Sequence, residues 1–174
     1  ASGKPGVCFT ITGPGLTNIL TPMGQAWSDS SNVLVVSSAL DMEDSGQGRG
    51  RLHEMISQFN AATAVTATAM RAYTPKDIRD GVARAFSGFA SARPRPAYLE
   101  IPLDLLSEPA GEGWTARRAA ARAHHAEPQI SEAIAMLKAA RDPFIILGGG
   151  ALDGGRAALQ IAEAVGAPII TTTA

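Results

Sequence analysis

Only one cysteine, Cys8, occurs in 174 residues, so no disulfide can form within the chain. It sits in an apolar stretch, which favours a buried structural thiol over a nucleophile and fits a reducing cytoplasm. Charge imbalance is equally absent. Fifteen Lys and Arg against sixteen Asp and Glu leave a net charge of -1, so nothing in the balance attracts nucleic acid or an anionic membrane. No apolar run approaches the ~20 residues that cross a bilayer, and the Ala-Ser-Gly-Lys-Pro-Gly start has no apolar signal core. Metal-ligand spacing is missing too. His124 and His125 are adjacent, but no second ligand pair accompanies them, and a solvated linker is the favoured reading.

What is present is a soluble globular composition, 45% hydrophobic and 18% charged, long enough to bury a sizeable core. The chain alternates strand and helix patterns. Val7 to Asn18 opens the series with an apolar, β-branched run, a Gly13-Pro14-Gly15 turn and a helical segment. Such a pattern predicts a buried strand whose end is stripped of side chains, where a ligand can approach closely. Leu16 to Asp29 spaces its apolar residues by threes and fours. Pro22 leaves two options, a helix capped by Thr21 or a longer helix kinked at the proline. Val33 to Val36 reads as a strand buried on both faces. A polar, glycine-bearing loop from Asp41 to Arg51 follows, and Ala64 to Ala69 is a further candidate strand.

Thr74-Pro75-Lys76-Asp77 combines a cap, a first-turn proline and an acidic residue, so a helix is expected from there to about Ala92. Ala97 to Ile101 resumes as a strand ended by Pro102. Glu108 to Pro128, rich in Gly, Ala, Arg, His and Pro, reads as a linker. Beyond it, Ser131 can cap a helix to Ala140, Phe144 to Leu147 is a strand, Gly148 to Gly150 a turn and Pro168 to Thr171 another strand. Between them, Arg156 to Val165 is a helix with Leu159, Ala162 and Val165 inward, closed by Gly166. This βαβ unit predicts a parallel sheet. Its glycines lack the G-x-G-x-x-G spacing of a dinucleotide fingerprint. The chain stops just after a strand, which suggests a piece of something longer.

Taken in order, Gly3-Lys4-Pro5-Gly6-Val7-Cys8, Thr12-Gly13-Pro14-Gly15-Leu16-Thr17-Asn18 and Arg93-Pro94-Arg95-Pro96 to Pro102-Leu103-Asp104 resemble thiamine diphosphate-dependent enzymes of the acetolactate synthase-like branch. The resemblance covers nearly the whole chain. It implies an α/β fold: part of a three-layer α/β/α pyrimidine-binding domain with a parallel sheet over residues 1–107, a linker over 108–128, and the start of a Rossmann-like central domain over 129–174. The implied function is decarboxylation of a small-molecule 2-oxo acid, followed by protonation or carboligation of the enamine. The implied cofactors are thiamine diphosphate and Mg2+, with FAD or an adenine nucleotide at the central domain. The implied assembly is a homodimer or homotetramer. The glutamate that activates the aminopyrimidine lies upstream of the Gly-Lys-Pro lead in this family, and the metal and diphosphate motifs lie in a later domain, so the segment alone is expected to be inactive.

Residue by residue, Thr12, Gly13, Pro14 and Asn18 match the turn beside the aminopyrimidine ring; without the resemblance, a tight structural turn would be preferred. His53 falls where related synthases place a glutamine facing the substrate. There an imidazole can hold a carboxylate or shuttle a proton, against the alternative of a surface residue. Gly48 to Met55 looks closer to catabolic decarboxylases of basic 2-oxo acids, in which case Asp41, Glu43 and Asp44 could attract a cationic tail; a solvated loop is the favoured alternative. A nucleotide-binding or purely structural α/β module centred on Gly148 to Gly155 remains the competing class.

Overall fold

The computed structural model describes residues 3–111, 115–118, 120 and 125–172. The chain divides into two compact units, Ala1–Arg122 and Ala123–Ala174.

In the first unit, four strands form one parallel sheet: β1 (Gly6–Thr10), β2 (Val33–Ala39), β3 (Thr68–Arg71) and β4 (Ala97–Pro102), in the order β1-β2-β4-β3. Alternation along the central strands divides the core in two. Leu34, Val36, Ala97, Leu99 and Ile101 face one side, where α3 (Pro75–Ser91) supplies Ala85, Ile78, Val82, Phe86 and Phe89. Val35 and Tyr98 face the other, against Leu16 and Met23 of α1 (Pro14–Ser28) and Ala62 of α2 (Gln58–Thr63). The unit is therefore a three-layer α/β/α arrangement. A short α4 (Leu103–Leu106) follows β4 and buries Leu105.

Several local expectations need correction. The first strand is not buried: it lies at the sheet edge, and Phe9 is 77% exposed. Cys8 within it is only half-buried. Of the two options at Pro22, a helix starting there is excluded and the longer helix is found: Pro22 lies inside α1, which begins with Pro14 in its first turn. The strand expected over Ala64 to Ala69 is displaced toward the C-terminus, only Thr68 and Ala69 of it lying in β3. Ser57 caps α2 by accepting from Asn60 N–H, the helix runs to Thr63, and β3 starts only at Thr68. The predicted capping of α3 does form. Thr74 accepts from Asp77 N–H while the Asp77 carboxylate accepts from Thr74 N–H, a reciprocal capping box.

The described part of the 108–128 segment touches α3: Arg117 pairs with Asp80 at 2.8 Å, and Ala120 N–H donates to Ser87 Oγ. Trp114 and His124 fall outside the described residues.

In the second unit, α5 (Glu127–Ala139) starts ahead of Ser131, because Pro128 suits the first turn and Glu127 favours the helix dipole; Ser131 is interior. Strands β5 (Ile145–Leu147) and β6 (Ile169–Thr171) pair in parallel around α6 (Gly155–Val165). The glycine turn continues into a 3-10 helix, Gly149–Gly154. Gly166 closes α6 at φ 68, the left-handed position glycine occupies without strain. Leu159 does not point inward. It is exposed, and Ala162 is the buried residue of α6.

Candidate functional site

β1 ends at Thr10, and the chain reverses into α1 through Ile11, Thr12 and Gly13. Gly13 has φ 62 and ψ -108, a torsion pair that belongs to glycine. Close approach excludes a side chain as well: a Cβ on Gly13 would overlap the His53 carbonyl oxygen and lie 2.9 Å from the His53 Cβ. His53 itself has φ 64, unusual for a residue with a side chain. The structure thus brings His53 and Gly13 together through backbone contact, with His53 half-buried.

The other turn residues divide by exposure. Thr12 and Gly13 are buried; Pro14 and Asn18 are exposed, as is Ile11. Thr12 Oγ1 and Gly13 N–H both donate to Gln58 Oε1, each at 2.7 Å. Their polar groups are therefore directed into the protein. Outward, the turn presents Ile11, Pro14 and the Asn18 amide, and Thr10–Asn18 contains no charged side chain. That donor set fits a flat, uncharged heteroaromatic ring. It does not fit a diphosphate or a metal, and among the described residues no group of three or more His, Cys, Asp or Glu could hold a metal ion.

Behind the turn lies a polar cluster that sequence reasoning missed. Gln58, at the start of α2, is 7% exposed. Its Nε2, which has two hydrogens to donate, lies within hydrogen-bond distance of three acceptors, the Ser38 carbonyl (2.8 Å), the Tyr98 hydroxyl (3.1 Å) and Glu100 Oε2 (3.2 Å). Tyr98 O–H donates to the same carboxylate oxygen at 2.9 Å, and Arg71 Nε to Glu100 Oε1 at 2.6 Å. Glu100 has no solvent exposure. A carboxylate so placed is tolerable only when paired and fully hydrogen-bonded, which these three donors achieve. Burial, reinforced by the neighbouring Glu100 charge, pushes the Tyr98 phenol pKa far up. Arg71 lies over the Phe59 ring, 5.5 Å from its centroid, and borders a groove of about 560 Å3 with Ser57, Asn60, Tyr73 and Arg84.

One signal for this cluster stood in the sequence. Glu100 is a charged residue inside an apolar stretch expected to be a strand, and a charge there demands a partner. The misplaced strand boundary hid that partner, Arg71, and the unrecognised α2 hid Gln58.

The loop carrying His53 holds itself together. Glu54 accepts from four successive backbone N–H groups, Gly48 (2.6 Å), Arg49 (3.3 Å), Gly50 (2.7 Å) and Arg51 (3.0 Å). Desolvation tends to raise the Glu54 pKa, but these four bonds together outweigh it and hold the pKa below the usual carboxylate value. Asp44 is buried and pairs with Arg49 (3.2 Å) and Arg51 (2.9 Å). It is committed within the loop, so it is neither the solvated residue favoured from the sequence nor free to attract a cationic ligand. Asp41 is half-buried and Glu43 exposed.

Comparison with known proteins bears on this geometry. The family profile described as "Thiamine pyrophosphate enzyme, N-terminal TPP binding domain" matches residues 1–62. The chain is 42% identical over 175 residues to a Pseudomonas aeruginosa protein named "Probable 2-ketoarginine decarboxylase AruI", an alignment covering 99% of this chain and 31% of that protein. It is 30% identical over 159 residues to the 2-hydroxyacyl-CoA lyase of Arabidopsis thaliana, covering 86% of this chain and 27% of the lyase. A solved Mycobacterium smegmatis structure, classed with thiamin diphosphate-dependent enzymes, superposes with a TM-score of 0.85 at 19% identity. That match covers 99% of this chain and 34% of the solved one, and establishes a shared fold. The chain spans roughly a third of the length of the relatives it matches.

Proposed function

We propose that the chain belongs to the thiamine pyrophosphate (thiamine diphosphate) enzymes, whose N-terminal domain it resembles over residues 1–62, and that it forms part of a 2-oxo acid decarboxylase. Residues 1–107 would be the later part of the pyrimidine-binding domain, 108–128 a linker and 129–174 the start of the central domain. Identity of 42% along 99% of the chain to a protein named for 2-ketoarginine decarboxylation carries this reading, and it favours a 2-oxo acid with a basic tail as substrate.

When bound, the cofactor supplies an electron sink for the carbanion left by loss of carbon dioxide. This chain's contribution is placement. Ile11 and Pro14 would form an apolar wall for the aminopyrimidine ring, with the Asn18 amide as its exposed polar group. Gly13 permits the His53 loop to close against the turn. From there the His53 imidazole would hold the substrate carboxylate or carry a proton to the product carbon. Asp41 and Glu43 are left to face a cationic tail, since Asp44 is already paired. Mg2+ and the diphosphate would be held by parts of the full-length protein outside this chain, FAD or an adenine nucleotide by the central domain, and the assembly would be a homodimer or homotetramer.

The test is carbon dioxide release by the full-length protein, with thiamine diphosphate and Mg2+, from 2-ketoarginine, pyruvate and other 2-oxo acids. Release from 2-ketoarginine in preference to pyruvate supports the proposal. Binding of adenine nucleotides without release from any 2-oxo acid refutes it.

A further inference from the structure

Gln58 has no role in the reading above, yet the Thr12 hydroxyl and the Gly13 N–H both end on it. Its orientation is not free. Gly13 N–H can only donate, so the atom 2.7 Å away must be the amide oxygen. The amide nitrogen then faces the Ser38 carbonyl and Glu100 Oε2, both acceptors. Glu100 in turn is held as an acceptor by Arg71 Nε and Tyr98 O–H. Reversing the amide would set its NH2 against the Gly13 donor and its oxygen against the Glu100 carboxylate. The buried ion pair therefore dictates which way Gln58 points, and Gln58 dictates where the Thr12 proton and the Gly13 amide point.

We propose that Gln58 is a positioning residue for thiamine diphosphate: oriented by Glu100 and Arg71, it holds the Thr12–Gly13 turn in the one geometry that lets the cofactor ring lie on it. The inference rests on the thiamine diphosphate reading, and predicts that cofactor affinity depends on a side chain that makes no contact with the cofactor.

Two substitutions in the full-length protein separate positioning from general stability. Gln58→Met keeps the volume and removes both hydrogen-bonding functions. Gln58→Glu keeps the acceptor oxygen for Thr12 and Gly13, but its second oxygen must carry a proton to face Ser38 and Glu100. An ionised glutamate there would stand beside the Glu100 carboxylate, so the proton is retained at low pH and lost as pH rises. The readout is thiamine diphosphate affinity by calorimetry at saturating Mg2+, taken as the ratio of variant to wild type at each pH. Circular dichroism checks that each variant is folded at the temperature of measurement. The expected result is a loss of about tenfold or more for Gln58→Met at every pH, the equivalent of one lost hydrogen bond to a buried donor. Gln58→Glu should bind like wild type near about pH 5.5 and lose about tenfold by about pH 8.5. If Gln58→Met does not fold, the pH profile of Gln58→Glu decides. A folded Gln58→Met that binds like wild type, or a pH-independent ratio for Gln58→Glu, overturns the proposal. Failure of the wild-type protein to bind thiamine diphosphate overturns instead the reading on which it rests, and the proposal with it.

Discussion

Replacing Gly13 by alanine tests how the turn and the His53 loop are coupled. Two costs are separable. The first is torsional: φ 62 with ψ -108 is a glycine conformation, and forcing an L-residue into such a region costs about 1–3 kcal/mol. The second is steric. The new Cβ would overlap the His53 carbonyl oxygen and lie 2.9 Å from its Cβ, and backbone cannot swing away as a side-chain tip can. His53 already occupies a positive φ, so the cheapest relief is for the loop from Asp44 to Glu54 to lift off the turn. Gly48→Ala supplies the control. Gly48 has φ 67 in the same loop, but its Cβ would meet nothing within 4 Å, so it incurs the torsional cost alone, about 1–2 kcal/mol. Native-state hydrogen exchange on peptides spanning 12–15 and 48–58 of the full-length protein measures both, because exchange tracks the population of the locally open form. Gly48→Ala should speed exchange of the loop peptide about 5- to 30-fold while leaving the turn peptide near wild type. Gly13→Ala should open both peptides together, by about 30-fold or more. Equal effects of the two substitutions on the turn peptide would refute the claim that His53 rests on Gly13.

Glu54→Gln should release the loop even though the side chain keeps its size, because the amide NH2 meets backbone N–H donors where the carboxylate accepted four bonds; faster exchange of the Gly48–Arg51 amides is the measurement. In the wild type the folded-state pKa of Glu54 is depressed. Its contribution is therefore fully present above the unfolded-state value and lost as pH falls through the folded-state value, so the same amides should lose protection on acidification, and Glu54→Gln should abolish that pH dependence. Thr74→Ala removes one half of the capping box of α3 and should destabilise the first unit by about 1 kcal/mol, read as faster exchange in the first turn after Thr74.

Much of the layering was legible from local chemistry. Thr74-Pro75-Lys76-Asp77 signalled a helix start because all its interactions lie within one turn, and the capping box formed there. Val33 to Val36 signalled a central strand because burial on both faces leaves an unbroken apolar run, and Ala97 to Ile101 signalled a strand although Glu100 interrupts its apolar residues. The turn at Gly13 was legible as a place where a side chain is excluded, and the structure adds that His53 is what excludes it.

Other features depended on partners distant in sequence. Val7 to Ile11 has the apolar character of a buried strand, yet β1 lies at the edge, because strand order is a property of the whole sheet. Asp44 reads as a free acid until the loop folds back and brings Arg49 and Arg51 onto it. Gln58 is an unremarkable amide in a short, weakly periodic segment. Only the packing of α2 against β4 joins it to Thr12, 46 residues away, and to Glu100, 42 residues away. The sequence by itself determined which segments are strands and helices over most of the chain, since capping, periodicity and turn torsions act over a few neighbouring residues. The tertiary structure alone decided which polar groups the candidate site turns outward and which it spends inside. Hydrogen bonds to buried groups are chosen by proximity in space, and a carboxylate with no solvent exposure must take its partners wherever the fold delivers them.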